Sequence, residues 1–188
     1  MTSTEATPEA TPEATPEATP QRSEPSTLAG EREMLEGWLD YHRETLALKC
    51  SGLDEKQLKE ASVPPSDLTL LGLVRHMAEV EGNWFRNRLA DERSAALYCT
   101  DADPDGDFHP SEADTWEEAS ATWRAEIAHA RELAARYTLD ELGTGQPSRH
   151  TGDPYTLRWI YTHLIEEYAR HNGHADLLRE RIDGATGD

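Results

Sequence analysis

Four stretches of the chain place an apolar residue at every third or fourth position, the spacing that keeps one stripe of an α-helix against a core. From Glu31 to Cys50 the stripe is Met34, Leu35, Trp38, Leu39, His42 and Leu46, with Gly52 to close the element. From Leu70 to about Ala90 it is Leu73, His76, Val80 and Trp84, behind Thr69 as a cap. A third run, from about Thr115 to Tyr137, carries Trp116, Ala119, Trp123, Ile127, Ala130 or Arg131, and Ala134. Thr115 and Glu118 are spaced there as a capping box, and the charges of this helix read as a solvated face. The last run, Tyr155 to Ile182, gives Ile160, Leu164, Glu167, His171, His174 and Leu178. Leu53 to Glu60 add a short amphipathic turn, broken by Pro64-Pro65. No alternating strand pattern competes, so the chain is expected to be all-α, a four-helix bundle.

The last stripe is unusual in its chemistry, because three of its six inward slots are ionisable. His163, one turn before Glu167, leans the same way, and the four side chains His163, Glu167, His171 and His174 span roughly 80° of arc. A buried imidazole or carboxylate without a partner costs several kcal/mol, on the order of 2–7 for a neutral polar group. A run of them suggests one shared partner, and a divalent metal is the simplest. His76 also points inward, from the second helix, and Glu79, three residues on, is placed to orient its ring. His42 shares a face with Trp38 and Leu46 and reads more simply as a hydrogen-bonded core histidine.

Composition narrows the partners. A net charge of -19 argues against a phosphate-binding surface, so no nucleic acid is expected as a partner. Cys50 and Cys99 form no CxxC, which argues for a reducing cytoplasm and no disulfide framework. No apolar run approaches the roughly 20 residues of a membrane span, and the N-terminus lacks the regions of a secretion signal. A Thr-Pro-Glu-Ala repeat from Thr7 to Pro20 has no apolar face, so residues 1–27 are expected to be a disordered spacer and residues 28–184 the bundle. Asp101 to Glu112 fit the calcium-loop pattern D-x-D-x-D-G-x5-E at every specified position. Against calcium stand Pro104 and Pro110, the lack of a second copy and a poor incoming helix at Arg93 to Thr100, which favour a solvated acidic loop capping the site.

Two segments, LTLLGLVRHMAEVEGNWF (Leu68 to Phe85) and LRWIYTHLIEEYARHNGHADLLRERIDG (Leu157 to Gly184), together resemble the DinB-like superfamily, nearest the actinobacterial branch that includes the mini-circle proteins. The likeness covers roughly residues 30–184. It implies a metal-binding four-helix bundle in which a histidine of helix two joins a His-x-x-x-His or Glu-x-x-x-His pair of helix four. The residues so implied are His76, Glu167 and His171, with a glutamate first, as in the mycothiol-dependent maleylpyruvate isomerases. His163 and His174 fall outside the pattern, and at 11 residues apart, about 16 Å, they cannot touch one ion.

Three protein ligands leave positions open, the arrangement of a catalytic metal, with zinc foremost and nickel or iron as further candidates. Two chemistries follow. In one, drawn largely from the resemblance, the metal activates a small thiol such as mycothiol for transfer or isomerisation, and Arg75, Arg158 and Arg170 are candidates to hold a carboxylate of that thiol. In the other the metal activates water for hydrolysis, with Glu79 or His174 as the acid or base. A third reading is no enzyme at all, a small bundle that binds metal or merely packs its histidines and forms a homodimer through its Trp-bearing faces.

Overall fold

Four of the helices start or stop where the sequence supplies a cap. Thr69, Thr115 and Thr156 accept hydrogen bonds from the amides of Gly72, Glu118 and Trp159, which satisfies donors that the first helical turn leaves free. Asp54 and Gln57 close a reciprocal capping box on the short helix between the first two long ones. Gly184, at φ 77°, ends the last helix in the left-handed conformation that glycine adopts without a Cβ clash.

The computed structural model describes residues 21–187, so the repeat of residues 7–20 lies outside the described residues. The order is α1 (Glu31–Cys50), α2 (Glu55–Leu58), α3 (Leu70–Glu81), a π-helical segment (Gly82–Leu89) continuing α3, α4 (Trp116–Ala134) and α5 (Leu157–Asp183). Among the described residues there is no strand, only an isolated bridge between Leu142 and Thr156. The all-α bundle expected from periodicity is the fold observed. α1 packs chiefly on α5, and α3 on α4. No described helix is long and apolar enough to cross a membrane. Ahead of α1, the Ser23 amide donates to Glu44 at 2.7 Å and Arg22 lies over the Tyr41 ring.

The buried face of α1 is rotated from its apolar stripe. Trp38 remains 42 % exposed and Met34 40 %, while Leu39, Arg43, Leu46 and Cys50 turn inward. Arg43 goes inside because a partner waits there. Its Nε and Nη2 donate to the two oxygens of Glu81 at 2.8 and 2.7 Å. The Tyr168 hydroxyl donates to Glu81 at 2.8 Å, and the Trp123 indole donates in turn to that hydroxyl, also at 2.8 Å. One hydrogen-bonded chain thus joins α1, α3, α5 and α4 through the middle of the core, and each buried polar group in it meets a partner.

The second long helix departs from its predicted stripe for a geometric reason. Leu73, Met77, Glu81, Phe85 and Leu89 are all buried, each four residues from the next. Strict four-residue steps drift about 40° per step around an α-helix. The wider π segment takes up that drift, bringing Phe85 and Leu89 inward and leaving Val80 and Trp84 half-buried. The carbonyls at its end are met by a loop: Gln146, Gly145 and Thr144 amides donate to Asn87, Arg88 and Leu89 at 3.0, 3.2 and 2.8 Å.

α4 also differs from expectation. Its charges are not all solvated, because Glu126 is buried and accepts from Arg86 Nε and Nη2 at 2.7 and 2.9 Å. Among the described residues Cys50 and Cys99 are both free thiols.

Candidate metal centre

α3 and α5 bring three side chains from 91 to 95 residues apart in sequence, or one turn apart on α5, to a common point. The ligand atoms of His76, Glu167 and His171 lie within 4.8 Å of one another. The rings of His76 and His171 are 4.6 Å apart between centroids, and His171 Nε2 is 3.5 Å from Glu167 Oε2. Glu167 and His171 meet because i and i+4 share a helix face.

The surroundings prepare these atoms as ligands. His76 Nδ1 is 2.7 Å from Asp107 Oδ2, and a carboxylate on one ring nitrogen fixes the tautomer that leaves the other nitrogen with a bare lone pair. That other nitrogen, Nε2, is buried and has no hydrogen-bond partner among the described residues. Phe108 stacks on the same ring at 4.3 Å, holding its plane. Burial alone raises the Asp107 carboxyl, yet the hydrogen bond and charge of His76, with bonds from Cys99 and the Phe108 amide, bring it below its ordinary value. His171 is pushed down to about 3, first by burial and then by the charges of His76, His174 and Arg170. It is therefore neutral at pH 7, the form that can ligate a metal. Its Nδ1 is 3.3 Å from His174 Nδ1. A stranded buried nitrogen, a neutral imidazole and a carboxylate facing one another fit a divalent cation.

Several expected residues hold other posts. Glu79 does not orient His76; its Oε2 accepts from the amides of Leu97 and Tyr98 at 2.7 and 3.2 Å and anchors the loop after the π segment. Asp107 takes the orienting place. Arg75 is buried, with Nη2 donating to the Gly106 carbonyl at 2.9 Å, Nη1 3.0 Å from Asp114 and the guanidinium 4.4 Å over the Tyr98 ring. It organises the loop and is not free to hold a carboxylate of a thiol. Arg170 is exposed and reaches both Glu166 and Glu167, the latter at 3.4 Å, so its charge does adjoin the cluster. Arg158 pairs with Glu31 and Asp140. His42 lies outside the group, its carbonyl accepting from Asn172 at 3.0 Å. His163 Nε2 is 3.5 Å from Glu167 Oε1, and His163, Glu166 and Glu167 form a second set within 4.8 Å.

The acidic loop resolves differently from a calcium site. Asp107 turns in to His76, Asp103 pairs with His109 at 3.0 Å, and the Gly106 carbonyl is taken by Arg75. Among the described residues no three of the loop's carboxylates converge within 4.8 Å. The loop helps to enclose a cavity of about 440 Å³ whose wall includes His76, Glu79, Trp84, Arg86, Asp107 and Glu126. The role of Asp107 was missed from sequence because a loop residue has no periodicity to aim it. The calcium-like run was the one signal that the loop carried something.

No curated protein matches the chain. A family model described as mycothiol-S-transferase matches residues 34–184, from within α1 to the glycine that ends α5. With both of the segments that frame the cluster inside that match, the chain belongs to the mycothiol-S-transferase family of the DinB-like superfamily.

Proposed function

We propose that the protein is a metal-dependent S-transferase that joins mycothiol, or a closely similar small thiol, to an electrophile. The observation that carries this reading is the orphaned His76 Nε2 facing Glu167 and His171 in a chain of this family. His76 through Nε2, Glu167 and His171 would hold the ion, zinc foremost with nickel or iron as further candidates. Such an ion supplies a Lewis acid that lowers the pKa of a thiol, making the sulfur a nucleophile at neutral pH.

The remaining work falls to the chain itself. Asp107 keeps the proton on His76 Nδ1 and so keeps Nε2 bare. With His171 Nε2 as the ligand atom, its Nδ1–H faces His174 Nδ1 at 3.3 Å, which makes His174 a positioning residue for the second imidazole. Arg170 offsets part of the Glu167 charge. Phe108 stacks on the His76 ring and holds its plane, and Trp84 lines the cavity beside it. Glu79, in the same cavity wall, holds the loop that carries Asp107. In the transfer, sulfur forms a bond to carbon, the leaving group departs with the bonding pair, and the thiol proton passes to solvent.

The test is metal analysis of the purified protein beside His76→Ala and His171→Ala, followed by thiol consumption with an alkylating electrophile, with and without chelator. Near-stoichiometric metal lost in both variants, with chelator-sensitive S-conjugation, is the expected result. Negligible metal in the parent protein overturns the reading, and so does chelator-sensitive ester or amide cleavage without conjugation, which assigns the centre to hydrolysis.

A further inference from the structure

Beside the candidate centre, four rings form one contiguous cluster. Trp84 meets Tyr155 at 4.9 Å, Trp159 at 5.0 Å and His163 at 4.5 Å between centroids. Trp159 lies 4.6 Å from Tyr155 and stacks on His163 at 5.0 Å with 27° between planes. Trp159 and His163 are one helical turn apart, so α5 presents them as one continuous shelf.

Core packing does not account for this shelf, because Trp159 stays 45 % exposed. A cavity of about 460 Å³ lies over it, lined by Trp159, His163, Thr156, Thr162, Arg158 and Glu166. It adjoins the candidate centre through His163, whose Nε2 is 3.5 Å from Glu167 Oε1. A molecule lying flat on Trp159 therefore has the His163 ring between it and that carboxylate. The larger-walled cavity that touches His76 and Asp107 is of another kind, bordered by Asn83, Asn87, Arg86 and Glu126, and Trp84 stands between the two. A transferase brings two substrates together, and here one recess holds His76 of the candidate centre and the other holds His163, the neighbour of Glu167.

The charges select among flat ligands. Of the cations beside the rings, Arg158 pairs with Glu31 and Asp140, Arg170 with Glu166 and Glu167, and Arg88, 5.9 Å over the Trp84 ring, donates to the carbonyls of Gln146 and Pro147. Glu166 in the wall of the cavity over the shelf, in a chain of net charge -19, disfavours an anion. The face of a tryptophan favours an electron-poor or cationic ring.

We propose that the shelf of Trp159 and His163 binds the electrophilic substrate, and that this substrate carries a flat aromatic ring that is neutral or cationic. The assignment of the ligand as the electrophile rests on the S-transferase reading; the aromatic site itself does not.

The experiment separates the two. Binding of 1,3-dinitrobenzene, an unreactive electron-poor ring, is followed by quenching of tryptophan fluorescence in the purified full-length protein with no thiol present. Trp159→Ala is expected to weaken it at least fivefold and Trp159→Phe to retain it, with 3,5-dinitrobenzoate binding more weakly than the neutral ring. With thiol added, the ratio of kcat/KM for 1-chloro-2,4-dinitrobenzene over iodoacetamide is expected to fall about tenfold in Trp159→Ala. Quenching unchanged within twofold by Trp159→Ala, or equal affinity for the anion, overturns the site. A site that binds the ring in a protein that conjugates no thiol overturns the electrophile assignment and the S-transferase reading but leaves the aromatic site standing. A dimer by sedimentation that Trp159→Ala dissociates gives the face to a second copy of the chain and overturns the proposal.

Discussion

Asp107 Oδ2 stands 2.7 Å from His76 Nδ1, across 31 residues of sequence, and this contact decides which nitrogen of the ring faces Glu167 and His171. Partners of this kind typically contribute 10–100-fold to metal affinity. Asp107→Ala is accordingly expected to weaken zinc binding by about 10–100-fold, with Asp107→Asn between it and the parent. Calorimetric titration with zinc measures this directly. Parent-like affinity in Asp107→Ala would show that the ring needs no help from the loop.

The pH dependence of stability carries a sign fixed by His171. In the unfolded chain its imidazole takes a proton near its usual value of 6.5, whereas in the fold, burial above all and then neighbouring positive charge delay protonation to about 3. Between those values the unfolded state binds the extra proton, so the contribution of His171 to stability is complete above about 6.5 and is lost progressively as the pH falls towards 3. The urea midpoint of the metal-free protein is expected to drop more between pH 7.5 and 5 for the parent than for His171→Leu. An equal drop in both would remove His171 as the cause.

The Glu81 carboxylate is fully buried and answers three donors, two from Arg43 and one from Tyr168. Removing one member of a buried ion pair costs about 3–5 kcal/mol, because the other charge is left unsolvated. Glu81→Ala is expected to destabilise by that amount in chemical denaturation. Arg43→Met combined with Glu81→Leu should recover much of the loss, since neither charge then remains inside. A double variant as unstable as Glu81→Ala would instead locate the defect in helix packing.

The same pair marks where a sequence stops being readable. The helices were legible because Thr69 and Thr115 announce two starts and the three-and-four spacing runs through each stripe. His76, Glu167 and His171 were legible as inward residues because each sits on a helix whose apolar neighbours set its direction, and the resemblance completed the set. The face of α1 was not, since hydropathy sends Trp38 inward and Arg43 outward. The order is reversed by Glu81, 38 residues further on and on another helix, which no single-helix pattern contains. The π segment escaped for a related reason: a widened turn is held in place by a loop more than 50 residues distant, through Thr144 and Leu89.

That loop makes the last prediction. The amides of Thr144, Gly145 and Gln146 satisfy the closing carbonyls of the π segment, and the backbones approach so closely that a Cβ on Gly145 would run into the carbonyl of Asn87. At Gly143 the nearest atom to a Cβ would be the Arg88 carbonyl oxygen, at 2.6 Å. Backbone is on both sides of each contact, so relief requires the loop to withdraw and its hydrogen bonds to lengthen. Gly145→Ala is expected to cost about 1–3 kcal/mol, the usual range for forced overpacking. The loss should appear first as faster hydrogen exchange at Thr144, Gly145 and Gln146, because local opening precedes global unfolding. It should also disturb Trp84, which the π segment carries into the walls of the site. Unaltered exchange and an unaltered urea midpoint in Gly145→Ala would mean that the segment holds its widened turn without the loop.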